Sequence, residues 1–137
     1  MFLIGKVRGM NIRMVLNEVV EYENYGKGEY GFKVKGNTYT VQCYMDKEVM
    51  GIMFDDDYGG GKRGDIEITR EVLKTVEEIA IKEVKEKRPK RIEIQPTSRS
   101  RYRIYMEVAK RLKDELGYEV STKKDSHNHD WIVISRR

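Results

Sequence analysis

Three groups of residues in this chain have the types and spacing that chemistry uses. His127 and His129 stand one residue apart between Asp125 and Asp130, which puts two imidazoles on one side of an extended chain as zinc ligation requires. Against a metal, the run Ser126 to Asp130 is dense in turn formers and no third ligand is announced elsewhere, so a surface turn is the preferred reading and no metal ligand is assigned. Gly59, Gly60, Gly61 and Gly64 surround Lys62 and Arg63. Such a loop can cradle a phosphate, yet it lacks the Gly-Lys-Ser/Thr ending of a P-loop, and a hairpin tip is the simpler account. Asp55-Asp56-Asp57 fits no EF-hand spacing. The third group is Arg99, Arg101 and Arg103 with Tyr102 and Tyr105. A guanidinium fork suits phosphate, and a phenol with an ordinary pKa near 10 can serve as a general acid. Tyr102 and Tyr105 also fit the buried stripe of an amphipathic helix, where packing alone explains them. Cys43 has no base beside it in sequence and reads as a small buried residue.

Composition limits what these groups can serve. The 137 residues are 39% hydrophobic and 36% charged, enough for one core and too few for a multi-domain enzyme. Lys and Arg number 27 against 23 Asp and Glu, a net charge of +4, which excludes a polycationic tail-type nucleic-acid binder. The basic run around Lys85, Lys87, Arg88, Lys90 and Arg91 is interleaved with Glu83, Glu86 and Glu93, so solvated ion pairs explain it better than nucleic acid. Gln42 and Gln95 are the only glutamines in a chain crowded with Lys and Glu, the pattern of proteins from hot environments. With Cys43 alone no internal disulfide forms, which points to a reducing, cytoplasmic setting. No apolar run reaches the length of a membrane span or a signal peptide. A monomer or a homodimer paired through an edge strand is the expected state.

The elements that must position these residues follow from periodicity. Phe2 to Val7 reads as a short strand and Asn11 to Glu23 as a helix, together an N-terminal piece over 1–28. From Glu29 the apolar residues alternate, with Gly36-Asn37 as the turn of a hairpin that runs to Cys43. Val49 to Phe54 is the next strand, Ile66 and Ile68 mark a fourth, and Asp55 to Asp65 is the loop between them. Thr69 caps a helix with the stripe Val72, Val76, Ile79, Ala80 and Val84, with Glu77 and Glu83 among the residues on its other faces. Pro89 ends it. Arg91 to Gln95 is a strand closed by Pro96. Thr97 or Ser98 caps a second helix with the stripe Tyr102, Tyr105, Val108, Ala109, Leu112 and Leu116, stopped by Gly117. A polar turn over Lys123 to Asp130 leads to a last strand, Trp131 to Ile134. The fold class is α+β: an antiparallel meander followed by helix, strand, helix and strand, forming one mixed sheet flanked by helices in a single domain, 1–137 with a core over 29–137.

This order, together with Pro89-Lys90-Arg91-Ile92-Glu93-Ile94-Gln95-Pro96, Ser98-Arg99, Tyr105, Arg111-Leu112 and Gly117-Tyr118, resembles the GNAT acyltransferase superfamily, and within it the small GNAT-like proteins common in phage genomes. The resemblance implies a GNAT-like fold that binds acetyl-CoA and transfers the acetyl group to an amine acceptor. It implies that the strands at Ile66 to Ile68 and Ile92 to Ile94 splay to admit a pantetheine arm, with Ile68, Thr69, Arg70, Gln95, Ser98 and Arg99 along the cofactor and Tyr105 as the acid. The helix start Thr69 to Lys74 lacks the glycines the superfamily carries there, and Glu71 sets a negative charge against a pyrophosphate. An alternative is therefore a catalytically degenerate GNAT-like viral regulator or anti-defence protein that binds a host protein or nucleic acid in the host cytoplasm.

Overall fold

The computed structural model describes residues 18–56 and 68–137. Four strands open the described chain: β1 (Tyr22–Gly26), β2 (Glu29–Val34), β3 (Asn37–Asp46) and β4 (Val49–Asp56). Helix α1 (Arg70–Lys87), strand β5 (Arg91–Ile94), helix α2 (Arg99–Leu116) and strands β6 (Glu119–Lys124) and β7 (Asp130–Ser135) follow. The strands form one sheet in the order β1-β2-β3-β4-β5-β7-β6. Every neighbouring pair is antiparallel except β4 and β5, which are parallel and joined across α1. The α+β class and the mixed sheet expected from periodicity are what the chain adopts.

Alternation decides which sheet face is buried. Tyr39, Val41 and Cys43 of β3 are buried while Thr40, Gln42 and Tyr44 are exposed, the period of two that one covered face demands. Met50, Ile52 and Phe54 of β4, Ile92 and Ile94 of β5 and Ile132 and Ile134 of β7 continue that buried layer beneath the helices. Helix α1 begins at the N-cap Thr69, whose hydroxyl accepts from Val72 N at 3.2 Å, and ends at Arg88, which is left-handed at φ 49°. Helix α2 is capped by Ser98 and closed by Gly117 at φ 76°. Both cap assignments agree with the residue types that satisfy free helix-end amides and carbonyls.

Several expectations change. The fourth strand is Val49–Asp56; Ile68 lies in coil leading to the Thr69 cap, and Ile66 is outside the described residues. Two isoleucines two apart mimic a strand, but the segment that pairs with β5 is Val49 to Gly51. Tyr22 and Glu23, assigned to a helix, belong to β1, where Tyr22 pairs with Phe32. The strand at Phe2 to Val7 and the rest of that helix up to residue 17 fall outside the described residues. Periodicity predicts no strand over Glu119–Lys124 and places Lys123 and Lys124 in the polar turn, yet these residues form an edge strand paired with β7. Glu77 and Glu83 are buried, at 1% and 2% exposure, because Lys74, Arg111, Lys87 and Tyr30 converge on them.

One turn is held tightly by geometry. Gly28, at φ +79°, accepts from Cys43 N at 2.8 Å, and a Cβ there would lie 2.0 Å from the Cys43 carbonyl oxygen. Neither backbone can yield without breaking the β2–β3 register. Gly28→Ala is expected to lower stability by about 2 kcal/mol or more, through left-handed strain and the steric clash together, measured as a lower urea midpoint with an unchanged slope.

Candidate functional site

The parallel pair β4–β5 runs together for only three residue pairs, Val49 with Arg91, Met50 with Ile92 and Gly51 with Glu93. Beyond Gly51 the strands separate: β4 continues to Asp56, and β5 ends at Ile94 ahead of Pro96. A proline two residues past the strand cannot donate to a ladder, so continued pairing fails locally. Chain direction brings the C-terminal ends of β4 and β5 and the N-terminal ends of α1 and α2 to one side of the sheet. Open α/β sheets bind ligands at this kind of edge.

Side chains of α2 fill the gap. Backbone N–H and C=O groups alternate sides along a strand, and those of Phe54 point away from β3 into the opening. Phe54 N donates to Tyr105 Oη at 2.9 Å, and Arg101 Nε donates to Phe54 O at 3.0 Å. Arg101 also donates from Nη2 to Asp55 Oδ1 at 2.7 Å and from Nη1 to Ser98 Oγ at 3.0 Å, and it is 5% exposed. Its planar fork thus joins the β4 end to the α2 cap. Arg101 and Tyr105 are four residues apart and share the buried face of α2. Sequence periodicity put Tyr102 on that face instead; Tyr102 is 41% exposed, because Arg101 takes the position one turn before Tyr105.

Tyr105 is buried, and removal from water pushes its phenol up to about 12; the Phe54 N–H and the Arg101 charge oppose the shift without cancelling it. Its oxygen accepts one hydrogen bond, and its own proton has no acceptor among the described residues. Burial likewise pushes the Cys43 thiol up to about 12, which keeps it an unreactive core residue.

The remaining sequence-selected residues divide into two places. Thr69 and Arg70 start α1, where Arg70 Nε pairs with Glu18 at 2.9 Å and holds that carboxyl below its usual range. Ile68 packs at the rim of the core. Gln95, Ser98 and Arg99 line an open groove of about 460 Å3 together with Tyr102, His129 and Asp130. The glycine tract Gly59 to Gly64 follows the fourth strand in the chain rather than preceding it, and residues 57–67 lie outside the described ones.

The histidines sit on the β6–β7 turn, which Asp125 organises. Asp125 Oδ1 accepts from His127 N at 2.8 Å and His129 N at 2.9 Å, and Oδ2 accepts from Trp131 Nε1 at 2.9 Å. The His127 and His129 rings lie 6.1 Å apart, and no group of three metal-ligating side chains gathers among the described residues. No helix among the described residues is long and apolar enough to cross a membrane. No family model, curated protein or solved structure matches the chain.

Sequence reasoning singled out Arg101 as a phosphate-suited cation and Asp55 as part of an acidic run, but not their meeting with the backbone of Phe54 in one cluster. The available signal was the i, i+4 pair Arg101 and Tyr105. Arg101→Ala leaves the Phe54 carbonyl and the Asp55 carboxylate without this partner, and a loss of about 2–4 kcal/mol is expected in urea denaturation. Arg101→Lys, with one ammonium for three acceptors, should recover only part of it. The hydrogen bond from the Trp131 indole, followed by that from His129 N, holds Asp125 well below the ordinary carboxylate range. A folded-state pKa below the unfolded value of about 3.9 means the turn is supported above that pH and loses the support as pH falls beneath it. Because the folded carboxylate stays ionised well below the ordinary range, the Trp131 indole proton resonance is expected to hold its position through about pH 4 and to shift and broaden only at lower pH.

Proposed function

We propose that this protein is a GNAT-type acyltransferase that binds acetyl-CoA in the opening between β4 and β5 and acetylates an amine. One observation carries the reading: the parallel strands part after Gly51, and the Tyr105 hydroxyl stands at the opening with its proton unclaimed among the described residues. The strand order, with β7 between β5 and β6, is compatible with the GNAT resemblance seen in the sequence. The helix start Thr69 to Lys74 contains no glycine, and the tract Gly59 to Gly64 follows the fourth strand in chain order.

The residues present fit the thioester end of acetyl-CoA. Phe54 N–H and Tyr105 Oη form a donor pair facing the gap, and a ligand oxygen can take over the Phe54 N–H that Tyr105 now accepts. Bound acetyl-CoA supplies an activated acetyl group on a thiolate leaving group. Tyr105 Oη, protonated through neutral pH because burial raises its pKa to about 12, holds the proton that the departing sulfur takes. Phe54 N–H is placed to stabilise negative charge on an acyl oxygen. At the start of α1, Thr69, Arg70 and the neighbouring N–H groups face the same edge, with Glu71 opposing a phosphate there.

A second reading has its own support. Arg101 and Tyr105 already satisfy both backbone groups of Phe54, and Arg70 is paired with Glu18. Those contacts support the alternative of a GNAT-like scaffold whose cleft is closed and which acts by binding a host protein or nucleic acid. Calorimetric titration of the folded chain with acetyl-CoA separates the two. Binding is expected; absence of heat at millimolar acetyl-CoA ends the acyltransferase reading and leaves the binder. With an amine acceptor, Tyr105→Phe should leave acetyl-CoA affinity nearly unchanged and lower kcat by roughly 100-fold. The wild-type rate should keep its acid-dependent limb through pH 10, since the phenol titrates near 12.

A further inference from the structure

The groove beside α2 has a charge arrangement that the fold does not explain. Arg99, Arg101 and Arg103 crowd the positive end of the helix, and the first turn contains no acidic residue, the reverse of what a helix start prefers. Arg101 is committed to Phe54 and Asp55. Arg99 and Arg103 are exposed, one turn apart, and form no ion pair among the described residues. Tyr102, three residues after Arg99, leaves its aromatic ring 41% exposed. Arg99 and Tyr102 line the groove with Gln95 and Ser98, and Asn128, His129 and Asp130 line it from the β6–β7 turn and the start of β7. Asp130 pairs with Lys124 at 2.7 Å, and the exposed His129 has its Nδ1 3.4 Å from Asp125 Oδ2. A groove with excess positive charge on one side and a bare aromatic ring beside it complements an anion joined to a flat ring.

We infer that this groove binds a nucleotide, with the phosphate on Arg99 and the base against Tyr102. The shared chemistry is a phosphate with a stacked base, whether on a free nucleotide or within a single strand. The inference does not rest on acetyl-CoA entering the β4–β5 opening.

Trp131, the only tryptophan, adjoins His129 and Asp130 and reports on the groove by its fluorescence. Titration of the full chain with AMP is expected to give a saturable change. Arg99→Gln should weaken AMP by at least about tenfold. Tyr102→Leu should weaken AMP while leaving inorganic phosphate unaffected, which separates the ring from the charge. Arg99→Glu should abolish binding and raise the thermal midpoint, because it places an acid at the helix start; that combination distinguishes a lost ligand site from a damaged fold. An oligonucleotide that binds far more tightly than AMP, with a steep salt dependence, identifies a strand as the source; equal affinity identifies the free nucleotide. No response to AMP or oligonucleotide at millimolar concentration overturns the proposal. So does unchanged binding in Arg99→Glu. Competition between acetyl-CoA and AMP also overturns it as a separate site, since the groove would then hold the cofactor's own nucleotide.

Discussion

A strand that outruns its neighbour inside a protein must find partners for its backbone, because a buried N–H or C=O left unpaired costs about 1–3 kcal/mol. The C-terminal half of β4 is in that position, and α2 supplies what β5 does not. Tyr105 accepts from Phe54 N and Arg101 donates to Phe54 O. This requirement fixes the depth and rotation of α2 against the sheet. Ser98 then serves twice, accepting from Arg101 N as a helix cap and from the Arg101 guanidinium as part of the same cluster. The buried face of α2 follows from Arg101 through Tyr105, Val108 and Leu112, so the gap and the helix packing are one arrangement.

Helix α1 is positioned by a comparable device. Glu83 is buried between Tyr30, which donates to it, and Lys87, whose ammonium lies 2.6 Å away. Glu77 is held less closely, with Arg111 at 3.4 Å and Lys74 at 3.8 Å, and removal from water raises its pKa despite both cations. Buried ion pairs add little net stability, yet breaking one strands a charge and costs about 3–5 kcal/mol. Their effect here is selective: Glu83 ties α1 to β2, and Glu77 ties α1 to α2 through Arg111. Burial, with the neighbouring Glu83 carboxylate, also raises the Tyr30 phenol above its usual range.

The parts legible in the sequence are those governed by local rules. The stripe Val72 to Val84, the caps Thr69 and Ser98, the stop at Gly117 and the alternation through β2 and β3 all depend on neighbours within a few residues. The parts that escaped depend on distant partners. β6 carries almost no apolar signal, because one neighbour, β7, provides its pairing and most of its side chains face water. Arg101 reads as a surface cation until Phe54 and Asp55, nearly fifty residues earlier, are known to need its donors. Glu77 and Glu83 look like solvent-facing charges for the same reason. Tyr105 was legible as a residue of interest on resemblance and as a core residue on periodicity, and its burial, with a hydroxyl proton unclaimed among the described residues, is consistent with both.

The clasp at the β4–β5 opening also has a consequence for how the chain reaches this state. Its contacts join residues separated by 46 to 51 positions, Asp55 and Phe54 on one side and Arg101 and Tyr105 on the other. The parallel pair that frames the opening is similarly non-local, with Val49 beside Arg91. Such contacts form only after the intervening helix has docked and the entropy of closing that long loop has been overcome. No partly unfolded form that releases α2 can retain the opening, so it exists only in the fully assembled chain. Any molecule held there draws its binding energy from the whole sheet and returns it as global stability, protecting distant strands from exchange as much as the residues it touches.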